Sequence, residues 1–122
     1  MEKIINMINW LEKGNVMFDK LKIRFYSDYN RGVCVRQKIY NKEQILIVPQ
    51  SHLITLEMAK ASPISKKIIK AKLDLLSPKH SYLATYLLLE MKKPNSFWKP
   101  YLDVLPPSYP SLPIFFKEEE LL

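Results

Sequence analysis

The stretch from Tyr29 to Pro49, YNRGVCVRQKIYNKEQILIVP, decides how the rest of the chain is read. It opens on turn formers and passes through Val33-Cys34-Val35. It turns again at Asn41-Lys42-Glu43 and ends in Ile45-Leu46-Ile47-Val48 before Pro49. Val33 and Val35 fall on one face of a strand and Cys34 on the other, because side chains alternate across a pleated strand. Four apolar residues in a row, three of them β-branched, predict a second strand covered on both faces. Pro49 lacks the N–H needed to extend a ladder and stops it. The remainder of the chain is expected to pack around this hairpin-like unit.

Upstream, Leu21, Ile23 and Phe25 alternate with Lys22, Arg24 and Tyr26, the pattern of a half-exposed strand. Ser27-Asp28-Tyr29-Asn30 breaks it with turn formers. The turn Tyr29-Asn30-Arg31-Gly32 therefore joins two strands. A turn so placed offers main-chain N–H and C=O groups to a small polar ligand, and Gly32 carries no Cβ to block close approach.

Further upstream, Ile4, Ile8 and Leu11 recur at helical spacing, with Gly14 after a basic last turn as the stop signal. Trp10 is expected to pack inward from this helix. Downstream of Pro49 the character becomes helical. Leu56–Ala61 is read as one or two turns, and Ser62-Pro63 and Ser77-Pro78 each place a capping hydroxyl before a proline at the first helical position. Between Tyr82 and Met91 apolar residues cover nearly all sides, which predicts a buried helix. Lys92-Lys93-Pro94 ends it. Asn95–Tyr101 reads as a short helical turn packed on that helix, and Leu105-Pro106-Pro107 and Tyr109-Pro110 as extended turns. Lys117–Leu122 reads as the first turns of another helix, its glutamates favoured there by the dipole.

Composition narrows the classes. A chain of 122 residues with 48% hydrophobic content fits one domain with its own core. Two glycines are few for an all-β sandwich. Nine prolines, five of them between Pro94 and Pro110, mark an irregular region with fixed bends. The net charge of +7 is carried by lysines that look spread along the sequence, so it reads as a solvated basic surface rather than a nucleic-acid groove. Cys34, the one cysteine, cannot form an internal disulfide, which favours an intracellular setting, cytoplasmic or nuclear. The charged start MEKIINMINWLEK does not fit a signal-peptide core. The most apolar helix is shorter than the roughly 20 residues a membrane span needs.

Few side chains suggest chemistry. His52 and His80 have no carboxylate or cysteine at ligand spacing, so no metal site is expected. Cys34 reads as a small core residue. There is no nucleophile elbow and no phosphate-binding glycine loop. Glu118, Glu119 and Glu120 read as a solvated helix start. Phe97, Trp98 and Tyr101 read as a packed aromatic corner rather than a stacking platform for bases.

Taken in order, NWLEKGNVMFDKLKIRFYSDYNRGVCV, IYNKEQILIVPQSHLITLEMAK, SYLATYLLLEMKKPNSFWKPYLDVLP and LPIFFKEEELL resemble the N-terminal half of a SET-domain protein methyltransferase. The branch they resemble is that of Rubisco large-subunit lysine methyltransferase. Asn95–Pro106 is the most distinctive piece. The resemblance implies an α+β fold, with small curved β-sheets and a mainly helical insert. It implies that residues 1–50 hold the N-terminal helix, the first SET strands and the cofactor loop, and residues 51–122 the helical insert, with the C-terminal SET half absent.

The resemblance further implies methyl transfer from S-adenosylmethionine to a protein side chain, usually lysine. The family's cofactor loop has the pattern x-G-x-G. Here it reads Tyr29-Asn30-Arg31-Gly32, with Asn30 in place of the first glycine. The implied cofactor contacts fall on Tyr29, Asn30, Arg31 and Gly32. The family's Asn-His motif and its channel tyrosine have no counterpart in this sequence, so no catalytic residue is assigned and the chain is expected to be inactive alone. The expected partner is a protein substrate or a chain that completes the fold. The other function consistent with the sequence is a non-catalytic SET-like binding or structural subunit.

Overall fold

The structure, a computed structural model, describes residues 1–27, 30–109 and 112–120. It begins with helix α1 (Glu2–Lys13), followed by strands β1 (Leu21–Phe25) and β2 (Arg31–Val35). Helices α2 (Leu56–Ala61), α3 (Pro63–Lys70), α4 (Pro78–Lys92) and α5 (Lys99–Leu102) then follow, with single 3-10 turns at Gln50–His52, Pro113–Phe115 and Glu118–Glu120.

The two strands form an antiparallel hairpin with Leu21 opposite Val35, Ile23 opposite Val33 and Phe25 opposite Arg31. Opposed residues share a face, so Leu21, Ile23, Val33 and Val35 line one side. That side is only partly covered. Ile8 and Leu11 of α1, with Val16, Phe18, Leu46 and Val48, enclose an apolar groove of about 240 Å³ against it. Val33 and Val35 remain exposed.

The expected buried strand at Ile45–Val48 does not form. Ile47 makes an isolated two-bond bridge to Met17 (both N···O 2.9 Å), and Ile45, Leu46 and Ile47 are exposed. Among the described residues no strand pairs with the other side of the apolar run, which is left largely uncovered. The packing centre lies instead in the helices. Ala59 of α2, Tyr86 of α4, Trp98 and Leu102 form the buried core, and Trp10, Ile54, Met58, Leu83, Leu87 and Leu105 surround it.

Local signals explain the helix ends. Thr55 caps α2 by accepting from Met58 N, and Ser62 caps α3 by accepting from Ser65 N. Ser77 precedes α4 but gives no side-chain cap; its hydroxyl bonds His80 Nδ1 instead (2.8 Å). Helices α1 and α3 end alike. After α1, Asn15 has φ 57°, with Asn15 N on Glu12 O and Val16 N on Leu11 O. After α3, Lys72 has φ 49°, with Lys72 N on Ile69 O and Leu73 N on Ile68 O. Both are Schellman ends with a left-handed residue that is not glycine. Gly14 marks the end of α1 as expected, but its φ is −84° and its role is different: a Cβ there would overlap the ring of His52.

As the sequence suggested, Trp10 packs inward and the turn at α5 packs on α4. Trp98 Nε1 donates to Tyr86 Oη (2.9 Å). Helix α4 is less enclosed than its composition suggests, since Leu88 and Met91 are exposed. Lys117–Glu120 forms a 3-10 turn at Glu118–Glu120.

Candidate functional site

Helix α1 packs against α5, which brings the start of α1 and the chain after α5 to the turn end of the hairpin. Helix α5 is stopped by two turn bonds, Val104 N to Tyr101 O and Leu105 N to Leu102 O. Pro106-Pro107 cannot continue it. Buried Leu102 and Val104 anchor this run from inside. The segment from Asp103 to Tyr109 thus becomes one wall of an open groove of about 1010 Å³. The opposite wall is Phe25, Tyr26, Ser27, Asn30 and Arg31, and Met1, Lys3 and Ile4 also line it.

The turn expected to hold a cofactor borders this groove at Asn30 and Arg31. Of its residues, Tyr29 lies outside the described residues. Asn30 closes the hairpin: its carbonyl accepts from Tyr26 N (2.8 Å) and Ser27 N (3.1 Å). Its own N–H donates to Ser27 O (3.3 Å) and Ser27 Oγ (3.1 Å). These groups are engaged within the turn, so a ligand that uses them must take them from Tyr26 and Ser27. Arg31 begins β2 opposite Phe25, with an exposed side chain on the groove. Gly32 pairs with Arg24 within the ladder. Among the described residues a Cβ there would meet only the Tyr26 ring, at 3.4 Å, an ordinary contact.

The groove combines cationic groups (Arg31 and Lys3) with aromatic rings (Phe25, Tyr26 and Tyr109). Among the described residues its one carboxylate, Asp103, is paired with Lys99 (3.0 Å). The Arg24 guanidinium lies 5.3 Å over the Tyr26 ring. Such a lining suits a ligand with an anionic end and a flat apolar end.

Acid–base chemistry has no comparable setting. Burial pushes the Glu90 carboxyl up, but hydrogen bonds from Lys93 (2.5 Å) and Ser96 (2.6 Å) outweigh it and hold the group below its usual range. Ser96 Oγ in turn accepts from Trp98 N, so Glu90 is committed to the α4–α5 corner. Glu43 is also held low, by Lys20 and by the Tyr40 N–H, on the surface away from the groove. His52 Nδ1 faces Ser51 Oγ (3.0 Å) and its ring packs at a tilt of 45° on Trp10 (centroids 4.4 Å apart). Neither histidine has a carboxylate behind it among the described residues, so neither serine–histidine pair forms a triad. No cluster of three metal-ligating side chains occurs among the described residues. No described helix is long and apolar enough to cross a membrane.

The wall from Asp103 to Tyr109 had no separate functional reading in the sequence. Its signal was the proline spacing, which fixes an extended wall as readily as it fixes a turn.

No protein-family model matches the chain. It is 30% identical over 115 residues to the actin-histidine N-methyltransferase of Gallus gallus, covering 94% of this chain and 19% of that protein. It is 28% identical over 116 residues to the Homo sapiens protein of the same name, covering 95% of this chain and 19% of that one. The chain thus spans about a fifth of the length of these curated relatives. Among solved structures, it superposes on the SET domain of LSMT bound to MeLysine and AdoHcy with a TM-score of 0.77 and 24% identity. That match covers 98% of this chain and 26% of the other. The chain has the fold of part of a SET domain, and the α+β reading of the sequence holds in that form.

Proposed function

We propose that this chain forms part of an S-adenosylmethionine-dependent SET-type protein N-methyltransferase and supplies one wall of its cofactor site. The observation that carries this reading is the groove beside Asn30 and Arg31, in a chain whose fold matches a SET domain that binds AdoHcy in its own structure. Arg31 and Lys3 would face the cofactor's carboxylate, and Phe25, Tyr26 or Tyr109 its adenine ring. The relatives' names point to a nitrogen nucleophile on a protein, histidine in one case. The solved neighbour holds MeLysine. Both targets are compatible with the same donor.

Transfer to such a nitrogen depends on aligning donor, methyl and acceptor in a desolvated channel, and on removing the acceptor's proton when the acceptor is lysine. None of the described side chains is placed to do this. In this reading further polypeptide completes the channel, packing on the open apolar face of β1 and β2, where Val33 and Val35 are exposed. The chain alone then binds cofactor without turnover.

Calorimetric titration with S-adenosylmethionine tests the reading. Saturable heat, reduced when Arg31 is replaced by Ala, supports it. The absence of saturable heat counts against a preformed cofactor wall.

A further inference from the structure

The basic charge is not evenly distributed. Between Lys60 and Lys79 there are six lysines and one acid, Asp74, a net +5 out of the chain's +7. All six lysines are exposed. Among the described residues the ion pairs are Lys20–Glu43, Glu90–Lys93 and Lys99–Asp103, and none uses a lysine of this stretch.

Apolar side chains stand among these charges. Helix α3 turns Ser65 inward, fully buried, and half-buries Ile64 and Ile68. Lys66, Ile69 and Lys70 share the outer side at i, i+3 and i+4. The bond from Leu73 N to Ile68 O folds Leu73 back against the helix end. Leu76, three residues on, lies within about 11 Å of Leu73 by chain reach. Ile69 is 50% exposed, Leu73 58%, and Leu76 fully exposed.

We propose that this exposed stretch, Lys66, Ile69, Lys70, Lys72, Leu73 and Leu76, docks an acidic amphipathic segment of a partner protein. Apolar anchors ringed by complementary charge are what such a segment needs: burial supplies affinity, and the lysines supply steering and register. A nucleic-acid backbone would use the lysines but leave the three apolar residues in water. A bilayer surface would call for a longer continuous apolar stripe than this eight-residue helix and its turn provide. The site is separate from the groove and does not depend on methyl transfer.

The test is fluorescence anisotropy on the intact chain. The probe is a labelled helical peptide with leucines at i, i+3 and i+7 and glutamates between them. Polyglutamate, phosphatidylserine vesicles and duplex DNA serve as competitors. Saturable peptide binding that weakens with salt is expected. Lys66→Glu with Lys70→Glu should weaken it about tenfold or more. Leu73→Ser with Leu76→Ser should weaken it at least about fivefold. Circular dichroism checks that each variant is folded. The proposal fails if the peptide does not bind, or if the folded variants bind it as the parent does. It fails equally if polyglutamate, vesicles or DNA displace the peptide at lower concentration than unlabelled peptide does.

Discussion

The ring of His52 occupies the space that a Cβ on residue 14 would fill, so Gly14 is fixed by a neighbour and not by its backbone angle. The contact joins the end of α1 to the 3-10 turn at Gln50–His52, and through Trp10 to the aromatic corner of Phe97 and Trp98. Gly14→Ala should destabilise the fold by about 1–3 kcal/mol, the usual cost of overpacking. His52→Ala in the same chain should recover part of that loss. Urea denaturation of the single and double variants measures both, and additive losses would show that the two residues are uncoupled.

Trp98 and Tyr86 share the one hydrogen bond between side chains of the core cluster. Tyr86→Phe leaves the buried indole N–H without its acceptor and should cost about 1–3 kcal/mol. Trp98→Ala, which removes the ring as well, should cost about 3–5 kcal/mol. Thermal melts that rank the two variants in the opposite order would contradict this account of the core.

Glu90 gives the fold a pH dependence of definite sign. Its carboxyl is held low in the folded state by Lys93 and Ser96 against the effect of burial. Its contribution is therefore complete above the unfolded carboxylate value, about 4.3. It is lost as pH falls from there through the lower folded value. Stability measured from pH 7 to pH 3 should fall less steeply in Glu90→Gln than in the parent. At neutral pH that variant should lose about 1.5–3 kcal/mol, the scale of hydrogen bonds to a charged group. Parallel pH profiles would remove Glu90 from the explanation.

Lys72 ends α3 with φ 49°, a region that costs a residue with a Cβ roughly 1 kcal/mol. Lys72→Gly should raise stability by somewhat less than this, since glycine also loses more freedom on folding. A raised denaturation midpoint is expected, and a lowered one would mean that the lysine side chain itself stabilises the turn.

The helical half was legible because its signals are local. Ser62-Pro63 and Ser77-Pro78 mark the starts of α3 and α4, and Lys92-Lys93-Pro94 the end of α4, without reference to anything distant. The α1 end was legible as a place but not as a cause, since nothing near Gly14 in sequence announces His52. Ile45–Val48 was misread for the same reason. An apolar run becomes a strand only where a partner strand is present, and here Met17 meets Ile47 alone. For the groove, the sequence pointed to the turn at Tyr29–Gly32. The facing wall depends on α1 packing against α5, a long-range contact that no local pattern encodes.

The most direct test of the cofactor reading is the amide spectrum of the isotopically labelled chain during titration with S-adenosylmethionine. The account predicts saturable shifts in two separated segments, residues 25–32 and 103–109, with α3 unmoved. Shifts that do not saturate, or that gather on α3 or the α4–α5 corner, would contradict the assignment of this groove to the methyl donor.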